Sequence, residues 1–307
     1  MAGQGWTESD VPDQAARTFL VTGANGGLGY ETARVLAQRR ARVILACRRA
    51  EAGEESAARI RALAPGAQVE VETLDLADLA SVEACAGRLG ARLGRLDCLV
   101  NNAAIMGTPR AATADGFERQ FGVNHLGHFA LTGRLIPVLR AAPAPRVVTL
   151  TSDMYRFGRL DLTGVRGEGR YGRWRAYCRS KLANLLFALQ LDRGAGAAGW
   201  PLRSLAAHPG YAATGLQLSP ERRLHAPARR FWAASNRWVA QSAAAGALPT
   251  LRAATDPEAP GGALYAPSGL FRGPAEPATP TRRATDGETA RRLWELSQTL
   301  TGVHFPF

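Results

Sequence analysis

Tyr177 and Lys181 stand four residues apart in a run, Trp174 to Leu191, whose spacing predicts one long helix, so the two side chains share a face. A phenol beside an ammonium is equipped to give and take a proton. The ordinary tyrosine pKa is about 10, and a neighbouring cation favours the phenolate. Bringing that pKa near neutrality takes roughly 4 kcal/mol. Ser152, just past the predicted strand Arg146 to Thr151, is placed to hydrogen-bond a substrate oxygen where charge develops. Lys181 is the only lysine among the 307 residues, and the other 37 basic side chains are arginines. A composition that writes nearly every cation as arginine yet keeps one lysine marks a position that needs an amine.

A second constellation is Thr22-Gly23-Ala24-Asn25-Gly26-Gly27-Leu28-Gly29, between a predicted strand at Thr18 to Thr22 and a helical pattern at Glu31 to Arg39. Glycine lets backbone approach phosphate closely, and the helix N-terminus offers free N–H groups and its positive dipole end to a pyrophosphate. Thr22, Gly23, Asn25, Gly27, Leu28 and Gly29 are therefore expected to seat a dinucleotide. Where an NAD site carries an acidic residue for the ribose 2′-hydroxyl, this chain has Cys47-Arg48-Arg49. Arg48 can pair bidentately with a 2′-phosphate, so NADP(H) is expected rather than NAD(H). Asp75 and Leu76, after the third strand, are expected at the adenine. Asn102 and Ala103, in Asn101-Asn102-Ala103-Ala104 after the fourth, are expected at the ribose.

These groups need a frame. Further strands are predicted at Arg42 to Ala46, Gln68 to Leu74, Leu96 to Val100, Leu202 to Ala207 and Ala263 to Tyr265. Further helices are predicted at Glu54 to Leu63, Leu79 to Leu89, Gly116 to Leu139, Arg229 to Gly246 and Glu288 to Leu300. Strand and helix alternate with short connections, which implies an α/β fold: one doubly wound, Rossmann-type domain with a central parallel sheet flanked by helices. Residues 15–307 are read as that single domain, with 209–250 as a substrate-side loop and helix. Residues 1–14 are read as a flexible polar arm.

Composition narrows the function. Hydrophobic residues at 46% and charged residues at 21% fit an ordinary globular protein with a sizeable core. The net charge of +12 is spread over arginine doublets along the whole chain, which fits a solvated surface better than a nucleic-acid site. No run of about 18 apolar residues predicts a membrane span, and the start lacks the pattern of a signal peptide, so a cytoplasmic location is expected. Cys47, Cys85, Cys98 and Cys178 are far apart and read as buried thiols with no metal pairing.

Thr-Gly-x-x-x-Gly-x-Gly at 22–29, Asn-Asn-Ala at 101–103, Asn124, Ser152 and Tyr177-x-x-x-Lys181 together resemble the short-chain dehydrogenase/reductase family over roughly residues 15–300. Ala-Cys-Arg at 46–48, Asn-His-Leu-Gly-His-Phe at 124–129, Tyr-Cys-x-Ser-Lys-Leu-Ala-Asn at 177–184 and His-Pro-Gly at 208–210 look like its retinol dehydrogenase-like branch. The resemblance implies that Tyr177 is the general acid/base and that Ser152 polarises the substrate oxygen. It implies that Lys181 binds the nicotinamide ribose and lowers the tyrosine pKa, and that Asn124 supports a water relay to Lys181. Thr214 is implied at the carboxamide end, with Pro209 and Gly210 also cofactor contacts. Ala104 stands where the family more often has glycine. The 25-residue interval from Ser152 to Tyr177 is longer than in compact members, so 153–174 is read as a loop near the substrate mouth. Members of the branch often carry a membrane anchor, none is read here, and retinoid activity is not carried over.

His125 and His128 read as packing and hydrogen-bonding residues of a helix, not metal ligands or bases. Phe231, Trp232, Trp238 and Val239 either cover the core or line an apolar pocket. The expected reaction interconverts a small-molecule carbonyl and alcohol. Reduction of an activated C=C bond and a non-catalytic NADP-sensing role are the alternatives, the latter opposed by the complete Asn124, Ser152, Tyr177, Lys181 set. Assembly as a homodimer or homotetramer is left open.

Overall fold

The computed structural model describes residues 5–162, 164–167, 169–210, 241–269 and 272–307. The order of elements is β1 (Thr18–Thr22), α1 (Gly27–Gln38), β2 (Arg42–Cys47), α2 (Ala50–Leu63), β3 (Val69–Thr73), α3 (Leu79–Arg92) and β4 (Cys98–Asn101). A short helical turn α4 (Arg119–Phe121), a π turn (Gly122–Leu126) and α5 (Gly127–Arg140) follow without a break. Then come β5 (Arg146–Leu150), α6 (Arg173–Ala197), β6 (Arg203–Ala207), α7 (Ala243–Thr255), β7 (Leu264–Pro267), β8 (Ala275–Ala278) and α8 (Gly287–Thr301).

The strands form one sheet in the order β3-β2-β1-β4-β5-β6-β7-β8, parallel through β7. Side chains alternate across it. Phe19, Val21, Val43, Leu45, Val100 and Val148 pack with α1, α2 and α7. Leu20, Ile44, Leu99 and Val147 pack with α3, α5 and the Trp294 end of α8. Both faces are buried, which is why these strands read as continuous apolar runs. Chain order reverses between β1 and β4, and the crevice outside the carboxyl ends of such strands is where ligands bind in doubly wound sheets. The expected single α/β domain is the fold observed.

Two elements differ from expectation. β8 was not anticipated, because Ala-Glu-Pro-Ala has no apolar alternation. It is an antiparallel edge strand, where Pro277 loses no interior ladder bond. Residues 5–14 belong to the segment expected to be a flexible polar arm, yet they are held in place. Val11 and Gln14 are buried, Glu8 pairs with Arg34 of α1 at 2.8 Å, and Trp6 bridges to Ala275. Glu8 finds its ion-pair partner on α1 and Asp13 finds Arg40 just beyond it, pairings that sequence spacing does not reveal.

Most of the helix expected over 229–246, with Phe231, Trp232, Trp238 and Val239, lies outside the described residues. α7 begins at Ala243, where the Ser242 hydroxyl accepts the Ala245 N–H. Among the described residues no helix is long and apolar enough to cross a membrane.

Candidate active site

The turn after β1 is packed against the strand end after β4. Gly23 has φ +65°, and a Cβ on it would lie 2.9 Å from Ala103 Cα. A Cβ on Gly29 would lie 2.5 Å from Asn102 Nδ2 and 2.6 Å from the Gly23 carbonyl oxygen. Both positions are closed to any larger residue. The Thr22 hydroxyl accepts the Asn102 N–H at 2.9 Å and the Ala103 N–H at 3.0 Å, while Asn102 Nδ2 donates back to the Thr22 carbonyl at 2.6 Å. Asn102 and Ala103, expected at a ribose, thus also fasten β4 to the turn.

Beyond the turn, Gly26 starts α1 with no side-chain cap, and a Cβ on Gly26 would meet nothing within 4 Å. Among the described residues no side chain takes the first-turn N–H groups, and the space beside Gly26 is open. Asn25, Arg48 and Arg49 are exposed at this end of the sheet. Asp75 spends one carboxylate oxygen on the Ala77 N–H at 2.9 Å. Leu76 is buried beneath α5, where a Cβ on Gly127 would lie 2.6 Å from the Leu76 carbonyl oxygen.

On the other side of the crevice, Ser152 caps the 3-10 turn Asp153–Phe157, its hydroxyl accepting the Met154 N–H at 3.4 Å. Tyr177 and Lys181 sit one turn apart on α6, a helix buried continuously from Ala176 to Leu189. Lys181 Nζ lies 5.9 Å from the centre of the Tyr177 ring and donates to the Leu150 carbonyl at 3.1 Å. Thr151 anchors the same turn by donating to the Lys181 carbonyl at 2.7 Å. The tyrosine was expected to have its pKa lowered. Instead burial pushes it up to about 12, with the Ser152 hydroxyl acting in the opposite direction. Burial also pushes Lys181 down to about 7. An amine that holds its proton only part of the time near neutrality is a weak counter-charge, so desolvation outweighs it.

Asn124 lies in the π turn, fully buried. Its Oδ1 accepts the Ile105 N–H at 2.8 Å, and its Nδ2 reaches the Ile105 carbonyl at 2.9 Å and the Ser180 hydroxyl at 3.0 Å. π turns inserted in α-helices redirect side chains and recur at functional sites. His128 bridges the Asn124 carbonyl, 3.0 Å from Nδ1, to the Thr22 hydroxyl, 2.9 Å from Nε2. His125 packs among Phe121, Phe129 and Phe187, with Nε2 2.9 Å from the Ser297 hydroxyl. Burial holds both imidazoles neutral, at about 3 for His125 and about 4 for His128. Among the described residues no cluster could hold a metal ion.

Gly210 has φ +62° and donates its N–H to His208 Nδ1 at 3.2 Å, while Gln241 Nε2 donates to the Pro209 carbonyl. Thr214 lies outside the described residues. Ser180 and Asn184 belong to the motif at 177–184, but the sequence assigns neither a role of its own. Ser180 joins Asn124 to the Tyr177 carbonyl at 2.8 Å, and Asn184 shares the Leu150 carbonyl with Lys181 at 3.0 Å. Their spacing, three residues after Tyr177 and three after Lys181, was the available signal, since it puts them on the same face of α6.

The short chain dehydrogenase family profile matches residues 17–223. Human retinol dehydrogenase 12 is 38% identical over 289 residues, covering 94% of this chain and 87% of that protein. Mouse polyprenol dehydrogenase is 42% identical over 299 residues, covering 95% and 86%. Among solved structures, an uncharacterized protein from Mycobacterium paratuberculosis matches with 43% identity and a TM-score of 0.82, covering 99% of this chain and 100% of that one. A short chain dehydrogenase from Shigella flexneri, complexed with NADP, shares the fold at a TM-score of 0.64 and 23% identity, covering 84% and 99%.

Proposed function

The chain belongs to the short chain dehydrogenase family, and from that premise we propose that it is an NADP(H)-dependent oxidoreductase interconverting a carbonyl and an alcohol. The observation that carries the reading is Tyr177 and Lys181 buried one turn apart on α6, with the amine of Lys181 5.9 Å from the centre of the Tyr177 ring. Sensing a nucleotide needs the glycine turn but not this proton-handling group.

The residues fit the cofactor. The uncapped start of α1 and the open space beside Gly26 suit a pyrophosphate. Arg48 is exposed and makes no ion pair among the described residues, which suits the 2′-phosphate that distinguishes NADP(H). When bound, the nicotinamide supplies or removes the hydride. The chain's own groups handle the proton. In reduction the Tyr177 hydroxyl gives its proton to the substrate oxygen, and in oxidation the phenolate takes one back. A tyrosine held at about 12 is protonated at neutral pH, ready for the donating half. Ser152 hydrogen-bonds the same substrate oxygen as charge builds on it. Lys181, when protonated, stabilises the phenolate left behind.

Relatives named for retinol and polyprenol make long apolar alcohols and their aldehydes the first substrates to try, beside small aldehydes and ketones. The test is a screen of these compounds followed by the absorbance of the reduced cofactor. Turnover with NADPH, at least about ten times faster than with NADH at limiting cofactor, is expected for a charge-assisted phosphate contact. No turnover with any carbonyl or alcohol, together with equal affinity for NADPH and NADH, would overturn the proposal.

A further inference from the structure

His128 is buried on the first turn of α5, between the turn after β1 and the turn carrying Asn124, and the proposed chemistry leaves it without a task. Its hydrogen bonds can be assigned a direction by elimination. The Asn124 carbonyl, 3.0 Å from Nδ1, can only accept, so Nδ1 carries the ring proton. Nε2 is then a bare lone pair, and the Thr22 hydroxyl 2.9 Å away must donate to it. The other acceptor near that hydroxyl, the Val100 carbonyl, is more distant at 3.4 Å. With its one hydrogen committed to His128, the Thr22 oxygen uses its two lone pairs for the N–H groups of Asn102 and Ala103, at 2.9 and 3.0 Å. Beyond Asn124 the chain continues. Asn124 Nδ2 donates to the Ser180 hydroxyl at 3.0 Å, and Ser180 donates to the Tyr177 carbonyl at 2.8 Å.

We propose that His128 is a positioning residue: through Thr22 it locks the cofactor turn, and through Asn124 and Ser180 it ties that turn to the backbone of Tyr177, holding the two halves of the site in one register. The imidazole suits the task because it offers one donor and one acceptor on opposite edges of a rigid ring. Burial and the nearby charge of Lys181 both disfavour a second ring proton, which would face the Thr22 hydroxyl and leave it only the more distant Val100 carbonyl.

The inference rests on reading the glycine turn and Tyr177 as one oxidoreductase site, and its test has an arm that does not depend on that reading. In the wild-type protein without cofactor, nitrogen NMR shifts of the imidazoles report each tautomer. The signal of His128, one of five histidines, is assigned by its loss in His128→Gln or, where that variant does not fold, by through-space contacts to Thr22. The neutral Nδ1–H form is expected at pH 7, and the Nε2–H form would overturn the proposal outright.

The second arm separates the two bonds. His128→Gln places an amide oxygen near the Nε2 position and keeps an acceptor for Thr22. His128→Asn places an amide nitrogen near the Nδ1 position and keeps a donor for Asn124. The Gln variant should lose about ten-fold in kcat with NADPH Kd changed by less than about three-fold, and the Asn variant should weaken NADPH binding by about ten-fold. Parallel change of both parameters in both variants, or change in neither, would show that the ring only fills space. A wild type with the expected tautomer and with NADPH binding split between the variants, but with no carbonyl or alcohol turnover, would instead count against the proposed reaction alone.

Discussion

At the Thr22 turn the hydroxyl, the Asn102 amide, the Ala103 N–H and the His128 ring are neutral, and each meets a partner within 3.0 Å. At Tyr177 and Lys181, across the same crevice, two ionisable groups are buried, Lys181 donating to the Leu150 carbonyl, and burial pushes their pKa values towards the uncharged forms. The first region is built like a core that happens to be polar: satisfied, neutral and stiff. The second holds groups in protonation states that burial makes easy to change. A cradle for a cofactor gains from the first design, and a site that must exchange a proton gains from the second. Such sites are maintained at some cost in stability.

The largest expected effect falls on the reactive side. Tyr177→Phe keeps the ring and removes the hydroxyl, so turnover should fall by roughly 10²–10⁴ while NADPH binding survives. Steady-state rates and a cofactor titration check both halves, and turnover within a few-fold of wild type would break the assignment.

Next come two substitutions that should move stability in opposite directions. Thr22→Val keeps the shape but strands two backbone N–H groups and the His128 acceptor, so it should destabilise by about 2–4 kcal/mol. Lys181→Met should stabilise, most strongly at low pH. The sign follows from the direction of the shift. The folded amine titrates near 7, below its ordinary 10.5, so between those values the unfolded chain binds more protons and stability rises with pH. Below pH 7 the wild type bears the whole penalty, which is roughly 4–5 kcal/mol at most before the lost hydrogen bond to Leu150 is subtracted. Calorimetry should find Lys181→Met melting about 2–6 °C higher than wild type at pH 6, with the gap closing towards pH 10. A Thr22→Val protein as stable as wild type, or a Lys181→Met protein that melts lower at pH 6, would erase the contrast between the two regions.

The smallest effect belongs to the exposed rim. Arg48→Ala should weaken NADPH binding by about ten-fold and leave NADH nearly unchanged, because only one of the two carries the 2′-phosphate. Equal losses for both cofactors, seen by titration, would remove Arg48 from that role.

Much of this layout could be read from residue order. The strand-glycine-helix signal at 18–29 is local, and so is the Tyr177–Lys181 spacing on α6, because a helix turns four residues into one face. What lay beyond reading was contact between segments distant in sequence. Nothing in Asn-His-Leu-Gly-His at 124–128 says that one histidine reaches Thr22, 106 residues earlier, while the other faces Ser297. The short strand β8 has no apolar pattern of its own and exists because β7 leaves an edge to pair with. The raised pKa of Tyr177 has a related cause. Spacing shows that an amine is near, but only the packing of α6 shows that burial outweighs it.

The account stands on Lys181 and Tyr177 sharing one cofactor-bounded site, and the composition allows this to be tested with a single reagent. With one lysine in the chain, an amine-directed label has only Lys181 and the N-terminal amine to modify. An amine that burial lowers to about 7 is unprotonated far more often at pH 7.5 than an ordinary lysine, so Lys181 should react once the reagent enters the crevice. Mass spectrometry of labelled peptides, followed in step with turnover, should show activity falling in proportion to Lys181 modification. Saturating NADPH should protect Lys181 and leave the N-terminus reactive. Full modification of Lys181 with unchanged turnover, or labelling indifferent to NADPH, would contradict the account.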